Sequence, residues 1–308
     1  VHGFSPRVGT AVLGFFMFAA GVAGTVLTWQ YFVNTRTGQR LDNVAFRGAE
    51  IGQSTLWNAA EPVLDVVSVP FIVVVLGAAA LIAVIRRRWL LALEVAVLVG
   101  GANVTTQALK HVILDRPDLA DTAGAVSNSL PSGHTTVAAS VAAALVLVVP
   151  RPARPLVAIL AATYAATTGV ATMIGQWHRP SDVVAAMTVV MAWAGLTIII
   201  TAIGSSERVR PPDSAIVPTT IVSGLMLIVA FVTGLLAASA LSSTGDVLAG
   251  GGSPDRGDLI RAYTGGAFGV VATTAVLFAL ILVMHQFATR PGPDRLGGKS
   301  PAHQDSYR

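Results

Sequence analysis

The sequence predicts an all-α integral membrane protein with about eight transmembrane helices, and three observations predict it. Of the 308 residues, 53% are hydrophobic and only 12% charged, whereas soluble domains carry about a quarter charged residues. The mean hydropathy is +0.68. The apolar residues also fall into runs close to the roughly 20 residues that cross a bilayer core as helix, and every Arg lies outside those runs.

Eight runs follow in order: 8–33, 63–85, 89–112, 135–149, 156–176, 183–204, 217–241 and 263–288. The first is long for a signal peptide and has no clear cleavage site, so it reads as a span. The fourth is short, and its ends are expected to run into the flanking loops. The eighth carries Gly265 and Gly269; this GxxxG either lets two helices approach closely or reflects chance in a Gly-rich chain. Residues 34–62 have mixed charge and either lie along the membrane interface or form a solvated loop. Residues 242–258, rich in Gly and Ser, read as flexible. The polar tail 291–308 has no core and reads as disordered. The expected organisation is a six-span core over 1–204, two further spans over 205–288, and a tail from 289.

A net charge of +4 and a pI near 10.0 would suit a nucleic-acid binder. The basic residues, however, sit in short loops between apolar runs, so they read as a topology signal and not as a nucleic-acid surface. With the N-terminus inside, twelve of the twenty Lys and Arg residues are cytoplasmic, including the triplet Arg86, Arg87 and Arg88. Both termini are then cytoplasmic, in a plasma membrane. The chain has no cysteine, which excludes disulfides, thiolate metal sites and cysteine nucleophiles.

Three polar clusters share the outward face: LKHVILDRPDL with Lys110 and Arg116, PSGH from Pro131 to His134, and QWHRPSD with His178 and Asp182. Each suits a phosphate ester. Lys supplies a point charge, and Arg a planar fork matched to phosphate oxygens. Ser132 and Gly133 precede a helix start, where unpaired N–H groups favour an anion. His134 can protonate a leaving oxygen. Asp182, four residues after His178, can hold one ring nitrogen and leave the other free to attack. Taken singly, PSGH is a capping turn and Lys110 a snorkelling side chain; taken together, the clusters point to a phosphate site.

On these motifs the chain resembles the type 2 phosphatidic acid phosphatase superfamily of integral membrane lipid phosphatases. The pattern there is K-x6-RP, PSGH, then SR-x5-H-x3-D, and the match covers Lys110 to Asp182. The resemblance implies a six-helix core and a metal-free, cofactor-free mechanism. His178 would be the nucleophile and form a phosphohistidine, His134 the general acid and Asp182 the orienting group. Lys110, Arg116, Ser132 and Gly133 would bind phosphate. Two departures stand out. Lys110 and Arg116 are separated by five residues, a change of about 100° on a helix, which a break before Pro117 would absorb. Ala171 and Thr172 stand where that superfamily has Ser and Arg, and Arg179 is the candidate substitute for the absent Arg.

Asn103, Thr106, Gln107 and Lys110 share one helix face and are expected to line the route to the site, with interhelical hydrogen bonding as the alternative. Glu94 is expected to pair structurally, near the Arg86–Arg88 end, and Trp177 to anchor at the interface. The leading function is a phosphatase acting on a polyprenyl mono- or diphosphate, or on a phosphatidyl-type phosphate, in the bilayer. A lipid phosphotransferase and a non-catalytic lipid-binding or scaffold subunit are the alternatives. A transporter is disfavoured, because the histidines sit at span ends and not at the midplane. Nothing in the sequence sets the oligomeric state.

Overall fold

The computed structural model describes residues 6–66, 77, 89–120, 128–204 and 216–288. Among the described residues all regular structure is helical. The α-helices are α1 (Pro6–Phe32), α2 (Arg36–Gly48), α3 (Gln53–Val66), α4 (Trp89–Ala108), α5 (Gly133–Val148), α6 (Arg154–Ile174), α7 (Pro180–Gly204), α8 (Ile216–Ala249) and α9 (Arg256–Ala288). Six of these, α1, α4, α6, α7, α8 and α9, are long and apolar enough to cross a membrane. The protein is an all-α, multi-pass membrane protein.

Helix α5 has 16 residues, about 24 Å of helix, so it is shorter than the hydrocarbon core. It begins at Gly133, ahead of the apolar run, where Ser132 caps it, and ends at Val148. The run 63–85 lies mostly outside the described residues, as do the Arg86–Arg88 triplet and the tail 291–308.

Helix α7 is the enclosed centre. Helix α1 lies against it along a seam of small residues. A Cβ on Gly14 would stand 2.9 Å from the Gly195 carbonyl, and one on Gly24 2.8 Å from the Thr188 methyl. Such contact of backbones replaces the hydrophobic drive that lipid removes. The Thr25 and Thr188 hydroxyls, 2.9 Å apart, bond across the same seam. Helix α9 packs on both α7 and α8. A Cβ on Gly266 would collide with the Pro180 ring at 2.5 Å, and one on Gly265 with the Ala240 methyl at 2.8 Å. The GxxxG pattern therefore serves the α8–α9 contact.

Two segments differ from expectation. Residues 242–249 are helix and not flexible loop. The hydroxyls of Ser242, Ser243 and Thr244 bond back to carbonyls three or four residues earlier, which satisfies them inside α8. A short turn follows, with Gly251 at φ 74°. Asp255 and Asp258 then accept each other's backbone N–H at the start of α9. Residues 34–62 are no plain loop but hold α2, a 3₁₀ turn and most of α3. Helix α2 is amphipathic and buries Leu41, Val44, Ala45 and Gly48. Val44 and Ala45 cluster with Ala262, Leu248 and Leu259.

The first turns of α5 and α7 and the last turn of α6 converge at one end of the bundle, with α2 beside them. Glu94 lies toward the opposite end, where it accepts a 2.6 Å hydrogen bond from the Thr201 hydroxyl.

Candidate active site

Helix α6 ends with a sharp reversal. Gln176 has φ 57°, the left-handed conformation common just past a helix end. The N–H groups of Trp177 and His178 then return to the Thr172 carbonyl at 3.0 and 3.3 Å. This turn sets His178 down just before Pro180, which starts α7 at a position where its missing N–H costs nothing. Asp182 lies in the first turn of α7. Its Oδ2 stands 3.3 Å from His178 Nδ1 and accepts the Arg179 amide at 2.9 Å. Both His178 and Asp182 are buried. With Nδ1–H directed at the carboxylate, Nε2 keeps its lone pair.

The PSGH segment is tied to this turn by its backbone. The Ser132 N–H donates to the Asp182 carbonyl at 2.9 Å. Ser132 Oγ accepts the Thr135 N–H at 3.3 Å as the cap of α5. The expectation that the Ser132 amide binds phosphate is therefore corrected: that donor already joins the two motifs. Gly133, at the first helical position, has no intrahelical acceptor for its N–H. Gln107 reaches the same point, since a Cβ on Gly133 would lie 3.6 Å from its amide nitrogen. His134, the next residue, is exposed. Its ring centroid is 6.3 Å from that of His178 and 5.2 Å from the nearest Trp177 ring.

Three cations approach. Helix α4 ends in a wide π-type turn, Leu109–Ile113, and Leu114 is extended. Helical rotation therefore does not set the spacing from Lys110 to Arg116. Lys110 is half-buried and its charge acts on His134. Arg116 Nη1 is buried with no hydrogen-bond partner. The guanidinium is pushed below its ordinary pKa, by burial first and by the charge of Arg179 second, with Asp42 and Asp182 offsetting. Arg179 is itself buried. Its Nε donates to Asn43 Oδ1 at 2.9 Å and its Nη1 to Ser129 Oγ at 3.3 Å. Its Cζ lies 5.2 Å from the centre of the Phe46 ring.

Against this geometry stands one family match: the model of the PAP2 superfamily fits residues 89–205. Comparison of the chain with curated proteins and with solved structures gives no match. The PAP2 superfamily consists generally of phosphatases that hydrolyse phosphate esters. The PAP2 segment runs from α4 to the end of α7 and contains all three polar clusters. Helices α1–α3, α8 and α9 lie outside it.

Within the PAP2 segment, Thr172 is sealed away. It is fully buried, and its hydroxyl donates to the Gly169 carbonyl at 2.7 Å. The polar stripe of α4 divides. Asn103 and Thr106 bond to Ser140 and Thr136 of α5 at 3.3 and 2.9 Å, which is the interhelical alternative. Gln107 and Lys110 alone reach the site end. Trp177, half-exposed, is wedged between the rings of Trp57 and His134, so it walls the site besides facing outward. Among the described residues no three His, Asp or Glu side chains gather as a metal-ligand set.

Helix α2 was not anticipated in this role. Asp42 accepts the Ser181 hydroxyl at 2.6 Å and the Ser181 N–H at 3.3 Å, capping α7. Burial first, and the charge of Asp182 second, raise its pKa from 3.8 to about 6. Gln39 Nε2 donates to the Pro117 carbonyl at 2.6 Å, and its Oε1 accepts the Leu119 N–H at 3.2 Å. The spacing of Leu41, Val44, Ala45 and Gly48 signals an inward helix face. Asp42 and Asn43 beside that face were the available clue.

Proposed function

We propose that the protein is a lipid phosphate phosphatase working through a phosphohistidine. One observation carries this reading. Arg116 leaves a buried N–H group without an acceptor, and it lies within electrostatic reach of Asp182 and of Arg179, the chain neighbour of His178. Two like charges drawn together out of water are unfavourable, and a phosphate between them would relieve both costs.

His178 Nε2 attacks phosphorus while the bond from phosphorus to the leaving oxygen breaks. His134, across a gap of 6.3 Å between ring centroids, protonates that oxygen. Water then attacks the phosphohistidine, gives a proton to His134 and releases phosphate as the P–N bond breaks. Asp182 fixes the tautomer and orientation of His178. The Gly133 N–H, Lys110, Arg116 and Arg179 stabilise the charge developing on the phosphoryl oxygens. The substrate is a lipid whose phosphate lies at the membrane surface, a polyprenyl mono- or diphosphate before a phosphatidyl-type phosphate. This order follows the PAP2 resemblance. The site faces outward and both termini are cytoplasmic.

The test is phosphate release by the purified protein from farnesyl diphosphate, a polyprenyl monophosphate and phosphatidic acid, with orthovanadate as inhibitor and His178→Ala as control. Release that vanadate blocks and His178→Ala abolishes is expected. The missing Arg at Thr172 favours a second reading, a lipid-binding subunit without turnover; wild type that binds vanadate but releases nothing would select it. For the topology, a cysteine at Asp118 should react with an impermeant thiol reagent on intact cells and one at Arg151 should not. The reverse pattern would place the site inside.

A further inference from the structure

We propose that α2 supplies the positioning residues that turn Arg179 into the substitute for the absent arginine at Thr172, with Asn43 the central one. This rests on the phosphatase reading of the site. Neutral groups hold the Arg179 side chain. Its Nε bonds Asn43 and its Nη1 bonds Ser129, both neutral acceptors, while the Phe46 ring lies under the guanidinium. Among the described residues no carboxylate forms an ion pair with it. A guanidinium has five N–H donors in a fixed fork. Two are used to orient it, and its positive charge is left for a ligand.

Placement supports the same conclusion. Asp182 Oδ2 accepts the Arg179 backbone N–H while it faces His178, so Arg179 is anchored to the nucleophile's own partner. Helix α2 also touches the other arginine's loop, since Gln39 bonds the Pro117 carbonyl next to Arg116. A single amphipathic helix thus orients one phosphate-binding arginine and holds the chain beside the other. Thr172 cannot serve, because its hydroxyl is spent on Gly169.

The distinguishing experiment uses the carboxylate isostere. Asn43→Asp keeps an acceptor for Arg179 Nε but neutralises its charge, whereas Asn43→Ala removes the acceptor alone. Affinities for inorganic phosphate and orthovanadate are measured on the full-length protein in detergent, with thermal unfolding recorded for each variant. Arg179→Ala should weaken anion binding by roughly 10–150-fold, the range for a charged hydrogen bond. Asn43→Asp should bind more weakly than Asn43→Ala while unfolding at no lower temperature. Asn43→Ala should have no further effect in the Arg179→Ala background. Asn43→Asp binding as tightly as wild type, or an Asn43→Ala loss undiminished without Arg179, would overturn the proposal and leave the phosphatase reading intact. Wild type that binds neither anion and releases no phosphate would remove both.

Discussion

The turn 176–182 and helix α2 meet at the same candidate site but are held in different ways. The turn is local. The N–H groups of Trp177 and His178 return to Thr172, its Asp182 faces His178 four residues away, and a backbone-to-backbone tie runs to Ser132. Helix α2 is held to it across more than a hundred residues of chain, through the side chains of Asp42, Asn43 and Gln176. In the proposed mechanism the turn carries the atoms that react, whereas α2 carries groups that orient them. Changes in the first should therefore abolish chemistry, and changes in the second should tune it.

The largest expected effect is His178→Ala, which should lower turnover on the order of 10⁵-fold or more, as loss of a nucleophile does elsewhere. Covalent capture of radiolabelled phosphate should vanish with it. Capture that survives would move the nucleophile out of the turn and undo the contrast. His134→Ala comes next, with a loss of about 10²–10⁴-fold on lipid phosphates. The loss should be much smaller on an aryl phosphate, whose leaving group needs no proton. Equal losses on both substrates would remove the general-acid role.

Thr172→Arg separates the two regions more finely. The position is fully buried, so a longer side chain should cost roughly 1–3 kcal/mol or more in stability and bring no gain in kcat/KM. Kinetics and thermal unfolding of the variant measure both. A rise in kcat/KM would mean that the place of the missing arginine is open after all and that α2 is not its replacement.

The smallest effect concerns pH. The Asp42 carboxyl has its pKa raised from 3.8 to about 6, so the folded chain holds that proton more tightly than the unfolded one. Ionised Asp42 therefore opposes folding above about pH 6. The opposition fades as pH falls through 6 toward 3.8, and its ceiling is about 3 kcal/mol. Asp42→Asn lacks this titration. Wild type should gain stability relative to the variant between pH 7.5 and pH 5, as read from paired thermal unfolding curves. A difference that stays flat over this range would show that the carboxylate is not strained by its surroundings.

Much of the site was legible because its signals are local. Apolar run lengths are enough to mark spans, and they place α1, α4, α6 and α7 to within a few residues, whereas α8 runs on to Ala249 and α9 starts as early as Arg256. The i, i+4 spacing of His178 and Asp182 brings the two side chains together on the start of any helix that begins at Pro180. The small step from Lys110 to Arg116 is a misfit only for a regular helix. The π-type turn and the extended Leu114 are backbone choices that residue spacing does not reveal.

What stayed hidden depends on docking. The Ser132 N–H reads as an anion donor until the Asp182 carbonyl is seen in front of it. Asn103 and Thr106 read as a polar lining until Ser140 and Thr136 of the neighbouring helix meet them. Ser and Thr in 242–249 read as a loop until their hydroxyls close onto their own helix. Residues 34–62 left interface and loop equally open, since an amphipathic pattern states that one face is buried and not against what. Run length, charge sign and four-residue spacing are properties of the chain alone, and they carried the membrane class, the three clusters and the His178–Asp182 pair. Which acceptor answers which donor is decided only when helices from distant parts of the chain pack, and that packing brought Asp42, Asn43 and Phe46 to Arg179.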